Sequence, residues 1–79
     1  MERTTLDMLK RGESGMIGEL EMGEPVRRRL IEMGMTPGTR VTVHGRAPVG
    51  DPIRILLRGY SLTLRAEDAK RITIRKENI

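Results

Sequence analysis

The sequence predicts an all-β domain, a small closed or half-closed barrel of about five strands with one inserted α-helix. Three observations lead to this prediction. The chain has 79 residues, enough for a single domain covering 1–79. Apolar and polar residues alternate along several short stretches, which is typical of strands with one buried face. A helical spacing of apolar residues extends over only one longer stretch, near 25–33.

The first twenty residues predict a short helical turn followed by a strand. Thr5 is a suitable cap for one helical turn, in which Leu6 and Leu9 share a face at three-residue spacing. The stretch 15–20 suits the first strand, and its two glycines are expected to weaken and bend it.

The inserted helix follows. Pro25 fits the first helical position, where its missing N–H is not needed. One apolar stripe then recurs at four- and three-residue spacing: Val26, Leu30 and Met33. Gly34 is suited to a left-handed C-cap, and Met35 can fold back over the last turn. Pro37 and Gly38 fit the two central positions of a type II turn.

Beyond this turn, the apolar period changes from helical to two. The stretches 40–44 and 52–58 alternate, and their predicted inward side chains are Val41, Val43, Ile53, Ile55 and Leu57. Between them, 45–51 is predicted to be a loop. Its end is fixed by Pro52, which restricts Asp51 to extended conformations.

The last third of the chain predicts a hairpin, a helical turn and a final strand. Gly59 stands where a type II′ hairpin turn places glycine first. The strand after it continues the inward set with Leu62 and Leu64. One helical turn is predicted at 66–69, and two isoleucines mark the last strand: Ile72 and Ile74.

The composition indicates a basic protein of a reducing compartment. The net charge is +4, the pI is near 10.3, and twelve of the fifteen cationic residues are arginine. Such a balance attracts nucleic acid, acidic protein surfaces or anionic lipid, although the interspersed acids also fit a merely solubilising surface. The absence of cysteine excludes disulfides and thiolate metal sites. Without a signal-like segment or the roughly 20 apolar residues of a membrane span, the chain is expected to be soluble and cytoplasmic.

The sequence offers little for catalysis or metal binding. His44 is the one histidine and falls on a predicted outward strand face, while Ser14 and Ser61 lie in no Gly-x-Ser-x-Gly elbow. Glu19 and Glu21 could act as paired carboxylates, but they lie in a glycine-rich strand without an apolar pocket around them. We therefore expect no enzymatic activity, no metal site and no cofactor.

The scarcity of aromatic residues excludes two classes of binding site. Tyr60 is the one aromatic residue. It cannot by itself build a groove for proline-rich peptides or a stacking platform for single-stranded nucleic acid. Arginine contacts to phosphate remain available. A protein–protein adaptor is therefore the favoured function, and binding to a phosphate backbone is its rival.

Three blocks of the sequence resemble a known family. Leu30–Gly38 resembles the pattern Leu-x-x-(Leu/Met)-Gly-(Leu/Met)-x-Pro-Gly, and Ala47–Ile53 resembles Ala-Pro-x-Gly-Asp-Pro-(Ile/Leu). Gly59–Arg65 resembles a third block, a glycine followed by a Leu-x-Leu-Arg strand. Their order and spacing are similar to those of the FeoA family, small accessory proteins of bacterial ferrous-iron transport. The agreement runs from about Leu6 to Ile74.

The resemblance implies an SH3-like barrel with a helical insertion. It also implies a partner, FeoB, the membrane ferrous-iron transporter with a cytoplasmic GTP-binding domain. FeoA-like domains also occur at the C-terminus of iron-dependent repressors. No helix-turn-helix is predicted ahead of this barrel, which favours a stand-alone transport accessory. A metalloregulator-like or nucleic-acid-associated basic module is the alternative. We expect neither nucleic-acid binding nor membrane insertion, while open barrel edges would allow self-association.

Two apolar residues depart from the core pattern. Leu56 falls on the outward face of its strand, and Ile31 lies about 100° around the helix from Leu30. With the Arg27–Arg29 ridge they predict an exposed patch that docks an acidic part of the transporter. Alternatively, these residues cover local edges and the arginines pair with nearby glutamates. The candidate contact residues are Arg27, Arg28, Leu30, Ile31, Asp51 and Leu56. The remaining motif residues are expected to shape caps and turns: Gly34, Pro37, Gly38, Gly50, Pro52 and Gly59.

Overall fold

The structure is a computed structural model that describes residues 3–77. Within this range the chain forms six strands and two short α-helices. The strands are β1 (Arg3–Thr5), β2 (Ser14–Leu20), β3 (Arg40–Arg46), β4 (Ile53–Leu57), β5 (Tyr60–Leu64) and β6 (Ile72–Lys76). The helices are α1 (Val26–Glu32) and α2 (Ala66–Ala69), and a 3₁₀ turn covers Leu6–Met8. Neither helix has the length or the apolar content to cross a bilayer.

The strands form one antiparallel sheet in the order β1-β6-β2-β3-β4-β5. The last strand therefore lies between the first two, and β1 and β5 form the edges. The register shifts between Ile17 and Leu20 where β2 pairs with β6, and between Val43 and Gly45 where β3 pairs with β4. Such irregularities bend and twist a strand. The predicted bend in the glycine-rich first strand is confirmed, as are the all-β class and the inserted helix.

β1 is a strand that the sequence pattern does not predict, so the predicted count of five strands is one short of the six in the described residues. Arg3, Thr4 and Thr5 show no alternation of apolar and polar residues, so nothing local predicts a strand. They are ordered by pairing with β6, in which Arg3 lies opposite Arg75 and Thr5 opposite Thr73. Sequence periodicity does not report a pairing across seventy residues.

The core lies inside the curved sheet and is built from aliphatic side chains and one methionine. The predicted inward residues Val41, Val43, Ile53, Ile55, Leu57, Leu64, Ile72 and Ile74 are all buried. Leu62 is partly buried against them. Leu6 and Leu9 close the core from the 3₁₀ turn, as predicted. Thr5 precedes that turn but makes no side-chain cap, since its hydroxyl donates to the carboxylate of Asp7 instead.

The end of α1 determines which methionine enters the core. The backbone N–H of Met35 donates to the carbonyl of Leu30 at 3.0 Å, and that of Gly34 donates to Ile31 at 3.0 Å. With Gly34 at φ +104°, these two bonds form a Schellman C-cap. Met35 is consequently fully buried, as the predicted fold-back requires. Met33, predicted to lie on the core stripe, follows the last helical residue and is 37% exposed, so that prediction is wrong.

Two turns connect the later elements. Thr39 donates to the carbonyl of Thr36 at 3.0 Å with Gly38 at φ +90°, so the predicted type II turn is present. In the β4–β5 hairpin, Leu57 pairs with Tyr60, which leaves Arg58 and Gly59 as the loop. Both have positive φ, +49° and +84°, which defines a type I′ turn. The predicted type II′ turn was therefore wrong by one residue.

Close packing requires a glycine where β2 crosses β6. A Cβ atom on Gly15 would lie 2.3 Å from Cγ2 of Ile74 and 2.8 Å from the carbonyl oxygen of Arg75. A Cβ atom on Gly18 would lie 2.5 Å from the hydroxyl of Thr73, a side-chain atom that can rotate. The two predicted strand glycines therefore differ in how firmly the neighbouring strand excludes a side chain.

Candidate partner-contact surface

The C-terminal end of α1 is fixed to the start of β5. The hydroxyl of Tyr60 donates a hydrogen bond to the backbone carbonyl of Met33. A Cβ atom on Gly34 would lie 2.9 Å from that hydroxyl and 3.4 Å from Cδ1 of Leu57. Met33 and Tyr60 nevertheless remain 37% and 44% exposed. We call this arrangement the helix–hairpin junction (Met33, Gly34, Leu57 and Tyr60).

The junction contains two exposed residues that the sequence analysis did not place in the contact set. Tyrosine and methionine are enriched at protein–protein interfaces. Tyr60 could have been selected as the single aromatic residue of a chain that builds its core without any. Met33 carried no such signal, because its spacing matched the buried stripe of α1.

Leu56 lies where the sequence predicted, on the outer face of β4. It pairs with Thr42 of β3 and Ser61 of β5 and is 39% exposed. It lines an open depression of about 420 Å³, which we call the Leu56 depression. Arg40 and Arg58 line the same depression. A partly exposed leucine with a cationic rim is a typical feature of a docking surface.

The two rim arginines are held in different ways. The guanidinium of Arg40 forms an ion pair with Glu77 at 2.7 Å, and this hydrogen bond raises the pKa of Arg40. The guanidinium of Arg58 donates to the hydroxyl of Thr39 at 3.3 Å, a neutral partner. The positive charge of Arg58 is therefore available at the rim, whereas that of Arg40 is largely compensated.

The ridge on α1 is partly compensated as well. Glu24 lies 3.9 Å from Nη1 of Arg27 and 3.6 Å from Nε of Arg28. One carboxylate thus serves two arginines, and the side chain of Arg28 is 74% exposed. Exposed pairs of this kind contribute about 0–1 kcal/mol and exchange readily with other partners. The predicted pairing with glutamate is present and leaves the ridge with net positive charge.

Two other residues of the predicted contact set fit the surface less well. Leu30 is 5% exposed and packs in the core, so its assignment as a contact residue is corrected. Ile31 is half-buried against the core and offers only part of its side chain. The residues lining the Leu56 depression come from 38–42 and 56–59, and none comes from α1. The structure thus separates the predicted patch into a helix ridge and a strand depression.

Asp51 has a structural partner. Its Oδ1 accepts a hydrogen bond from the backbone N–H of Ala66 at 2.9 Å, which satisfies a free donor at the start of α2. Gly50 adopts φ +86° and donates to the carbonyl of Ala47 at 2.7 Å. The second sequence block therefore shapes this loop and joins it to α2.

A further carboxylate is held by basic residues away from this surface. Glu13 accepts the backbone N–H of Lys10 at 2.7 Å and pairs with Nζ of Lys76 at 2.9 Å. The hydrogen bond from Lys10 and that from Lys76 lower the pKa of Glu13 below its usual value. Among residues 3–77, the structure shows no cluster of three or more histidine, cysteine or acidic side chains suited to a metal ion.

Comparison with known proteins identifies the family. The model of the FeoA domain matches residues 4–76. A fusion of Fe(2+) transport protein A with the Fe(2+) transporter FeoB from Porphyromonas gingivalis is 35% identical over 69 residues. The match covers 87% of this chain and 8% of the fusion protein, so the chain spans a small fraction of that relative.

Solved structures of relatives share the fold. An FeoA-like protein from Clostridium acetobutylicum superposes with a TM-score of 0.85 at 34% identity, covering 96% of this chain and 88% of that one. FeoA from Stenotrophomonas maltophilia, solved with zinc and described as a prokaryotic SH3 domain protein, gives a TM-score of 0.76 at 28% identity. The aligned region covers 91% of this chain and 89% of that protein. The predicted SH3-like barrel is therefore confirmed.

Proposed function

Because the chain belongs to the FeoA family, we propose that it is a non-catalytic, cytoplasmic accessory factor of bacterial ferrous-iron uptake that acts by binding FeoB. The observation that carries this proposal is the relative in which transport protein A and FeoB form one polypeptide. Fusion keeps two proteins at a high effective concentration, which is useful when they work in contact. The FeoA domain of the present chain would make the same contact with FeoB.

The Leu56 depression and the helix–hairpin junction support a docking role. They belong to the same hairpin and offer partly exposed large side chains on its two faces, Leu56 on one, and Tyr60 with Met33 on the other, since Tyr60 pairs with Leu57 and Leu56 with Ser61. Arg58 adds an uncompensated charge to the lining of the Leu56 depression. Aromatic residues, methionine and arginine supply much of the binding energy in interfaces. We retain Arg27, Arg28 and Ile31 as a second, peripheral contact region on α1.

A pair of matched variants tests the surface. Leu56→Glu places a carboxylate in the Leu56 depression, whereas Val49→Glu makes a similar change at a loop residue that is 88% exposed. We expect Leu56→Glu to weaken binding to purified FeoB by about tenfold or more, since central apolar contacts contribute upwards of about 1–2 kcal/mol. Val49→Glu should change the affinity by less than about twofold. Thermal unfolding of both variants establishes that they are folded.

Charge variants separate the two contact regions. Arg58→Gln removes a charge from the rim of the Leu56 depression, and Arg28→Gln removes one from α1. If the depression is the centre of the contact, Arg58→Gln should lower the affinity for FeoB more than Arg28→Gln does. Wild-type protein that never binds FeoB would contradict the proposed function. Binding that Leu56→Glu and Val49→Glu weaken equally would contradict the surface alone.

A further inference from the structure

A second depression lies on the outer face of the barrel and is lined by basic side chains. It has a volume of about 340 Å³, and its lining includes Arg11, His44, Arg46 and Arg54. Among the described residues that line it, none carries a carboxylate. We call it the arginine depression. It is independent of the FeoB proposal, which rests on other residues.

Three separate segments bring the four basic residues together. Arg11 lies in a turn that is bonded to β3, because Gly12 donates to the carbonyl of Val43 at 2.8 Å. His44 lies where the register of β3 against β4 shifts, on the exposed face. Arg54 is exposed on the adjacent strand and pairs with Thr63 of β5.

Arg46 is held in place without losing its charge. Its Nη2 atom donates to the backbone carbonyl of Leu9 at 2.6 Å and to that of Asp7. Both acceptors are neutral, while the carboxylate of Asp7 accepts the hydroxyl of Thr5 instead. A fixed guanidinium loses less side-chain entropy when it binds a ligand than a free one.

The basic residues of the arginine depression are not compensated by carboxylates in the described part of the chain. Within residues 3–77, carboxylates form ion pairs with Arg27, Arg28, Arg40 and Lys76. The structure records no ion pair for Arg11, His44, Arg46 or Arg54 in this range. Other arginines, Arg58 among them, also have no ion pair, but in the arginine depression three arginines share one concave site, where a nearby low-dielectric wall strengthens their field.

We propose that the arginine depression binds a small ligand that carries a diphosphate group. Guanidinium groups bind phosphate oxygens in a bidentate manner, and three of them match several negative charges on one compact group, to which the imidazole of His44 can add a hydrogen bond. A carboxylate carries one charge, so an acidic peptide would have to spread its charges along an extended chain. The lining has no aromatic side chain on which the bases of a nucleic acid strand could stack.

The shape of the depression suits a ligand of this size. Its volume of about 340 Å³ lies at the lower end of the range for small-molecule sites. Gly45 is one of the lining residues, and a Cβ atom there would meet no heavy atom within 4 Å, so the backbone at this position is open to a ligand. Thr63 also lines the depression, and its side chain carries a hydroxyl group that can donate a hydrogen bond.

Titration with sodium pyrophosphate, followed by proton–nitrogen correlation NMR, tests the proposal. We expect the backbone amide signals of 11–12, 44–46 and 54 to shift together along one saturable curve. Arg54→Gln removes an exposed guanidinium and should weaken binding about tenfold, the usual loss for one charge-assisted hydrogen bond. Arg28→Gln, the matched control, removes an equal charge from α1 and should leave the affinity within about twofold.

Three competing ligands test whether the depression selects a diphosphate group. Sulfate and citrate should bind more weakly than pyrophosphate, and a random DNA duplex should shift no signal of the depression. Citrate that binds as tightly as pyrophosphate would show that the site selects charge alone, which contradicts the proposal. Tight binding of duplex DNA that weakens by orders of magnitude between about 50 and about 200 mM salt would assign the surface to nucleic acid instead. Equal effects of Arg54→Gln and Arg28→Gln would also overturn it.

Discussion

Replacing Gly34 by alanine tests how firmly α1 is fixed to the β4–β5 hairpin. Gly34 has φ +104°, a conformation that costs a residue with a side chain about 1–3 kcal/mol. Its new Cβ would also lie 2.9 Å from the hydroxyl of Tyr60. Tyr60 must then move and lose its bond to the carbonyl of Met33, a further cost of about 0.5–1.5 kcal/mol. The expected total is about 1.5–4.5 kcal/mol, or a fall in melting temperature of roughly 6–36 °C for a domain of this size.

A second glycine separates the backbone cost of the substitution from the cost of the collision with Tyr60. Gly12 has φ +88°, and a Cβ atom there would meet nothing within 4 Å. Gly12→Ala therefore has the backbone cost without the collision. We expect Gly34→Ala to be about 1 kcal/mol more destabilising than Gly12→Ala, as measured by urea unfolding followed by far-ultraviolet circular dichroism.

The double variant with Tyr60→Phe completes the test. Phenylalanine lacks the hydroxyl that the new Cβ would meet, so in this background the cost of Gly34→Ala should fall to that of Gly12→Ala. The coupling energy between positions 34 and 60 is then about 1 kcal/mol, well above the roughly 0.3–0.5 kcal/mol within which independent sites are additive. The close approach is refuted if Gly34→Ala and Gly12→Ala destabilise equally and the coupling lies within that limit.

Three further predictions concern the barrel and its loops. Gly15→Ala should cost about 1–3 kcal/mol or more in urea unfolding, and more than Gly18→Ala, because a backbone carbonyl blocks the first position and a rotatable hydroxyl the second. Asp51→Ala should lower the free energy of unfolding by about 0.5–2 kcal/mol through loss of its bond to Ala66, whereas an unchanged value would show that water replaces this cap. Glu13 has a lowered pKa, so its contribution to stability is complete above the pKa of the unfolded chain and is lost as the pH falls through its folded value. The difference in stability between wild type and Glu13→Gln should therefore be constant near neutral pH and shrink in acid, and a difference that grows in acid contradicts this sign.

The alternation of apolar and polar residues along β3 and β4 made most of the barrel predictable from the sequence. Burial of one sheet face fixes the register, since a slip of one residue would expose every buried side chain. The alternating positions of residues such as Val43 and Ile55 therefore predict both strands and the face of each strand that points into the core. Apolar spacing does not predict the burial of the residues around Met33. Spacing places Met33 on the buried stripe, but the capping glycine turns the chain by one residue and sends Met35 into the core instead.

The candidate contact surface was predictable only in part for a related reason. Leu56 was identified because it contradicts the period of an otherwise regular strand, and the structure places it on the outer face. The arginine depression could not be identified in this way. The depression is formed by the turn that contains Arg11 and by two neighbouring strands. It lacks carboxylates because acidic side chains pair with basic residues elsewhere on the surface. Such a property belongs to the assembled surface and has no counterpart in the local sequence.

The two proposed sites are close enough to influence each other. Arg54 and Leu56 are two residues apart on the same face of β4, a separation of about 7 Å. In water, two unit charges at this distance interact by about 0.6 kcal/mol, and physiological salt roughly halves that value. A diphosphate in the arginine depression should therefore repel an acidic partner surface on the Leu56 depression and weaken FeoB binding about 1.7-fold for each pair of facing negative charges. Because coupling is reciprocal, FeoB should weaken pyrophosphate binding by the same factor. Arg54→Gln should raise the pyrophosphate concentration needed for this effect about tenfold, and an effect with the same concentration dependence as in the wild type would show that the ligand acts on FeoB itself.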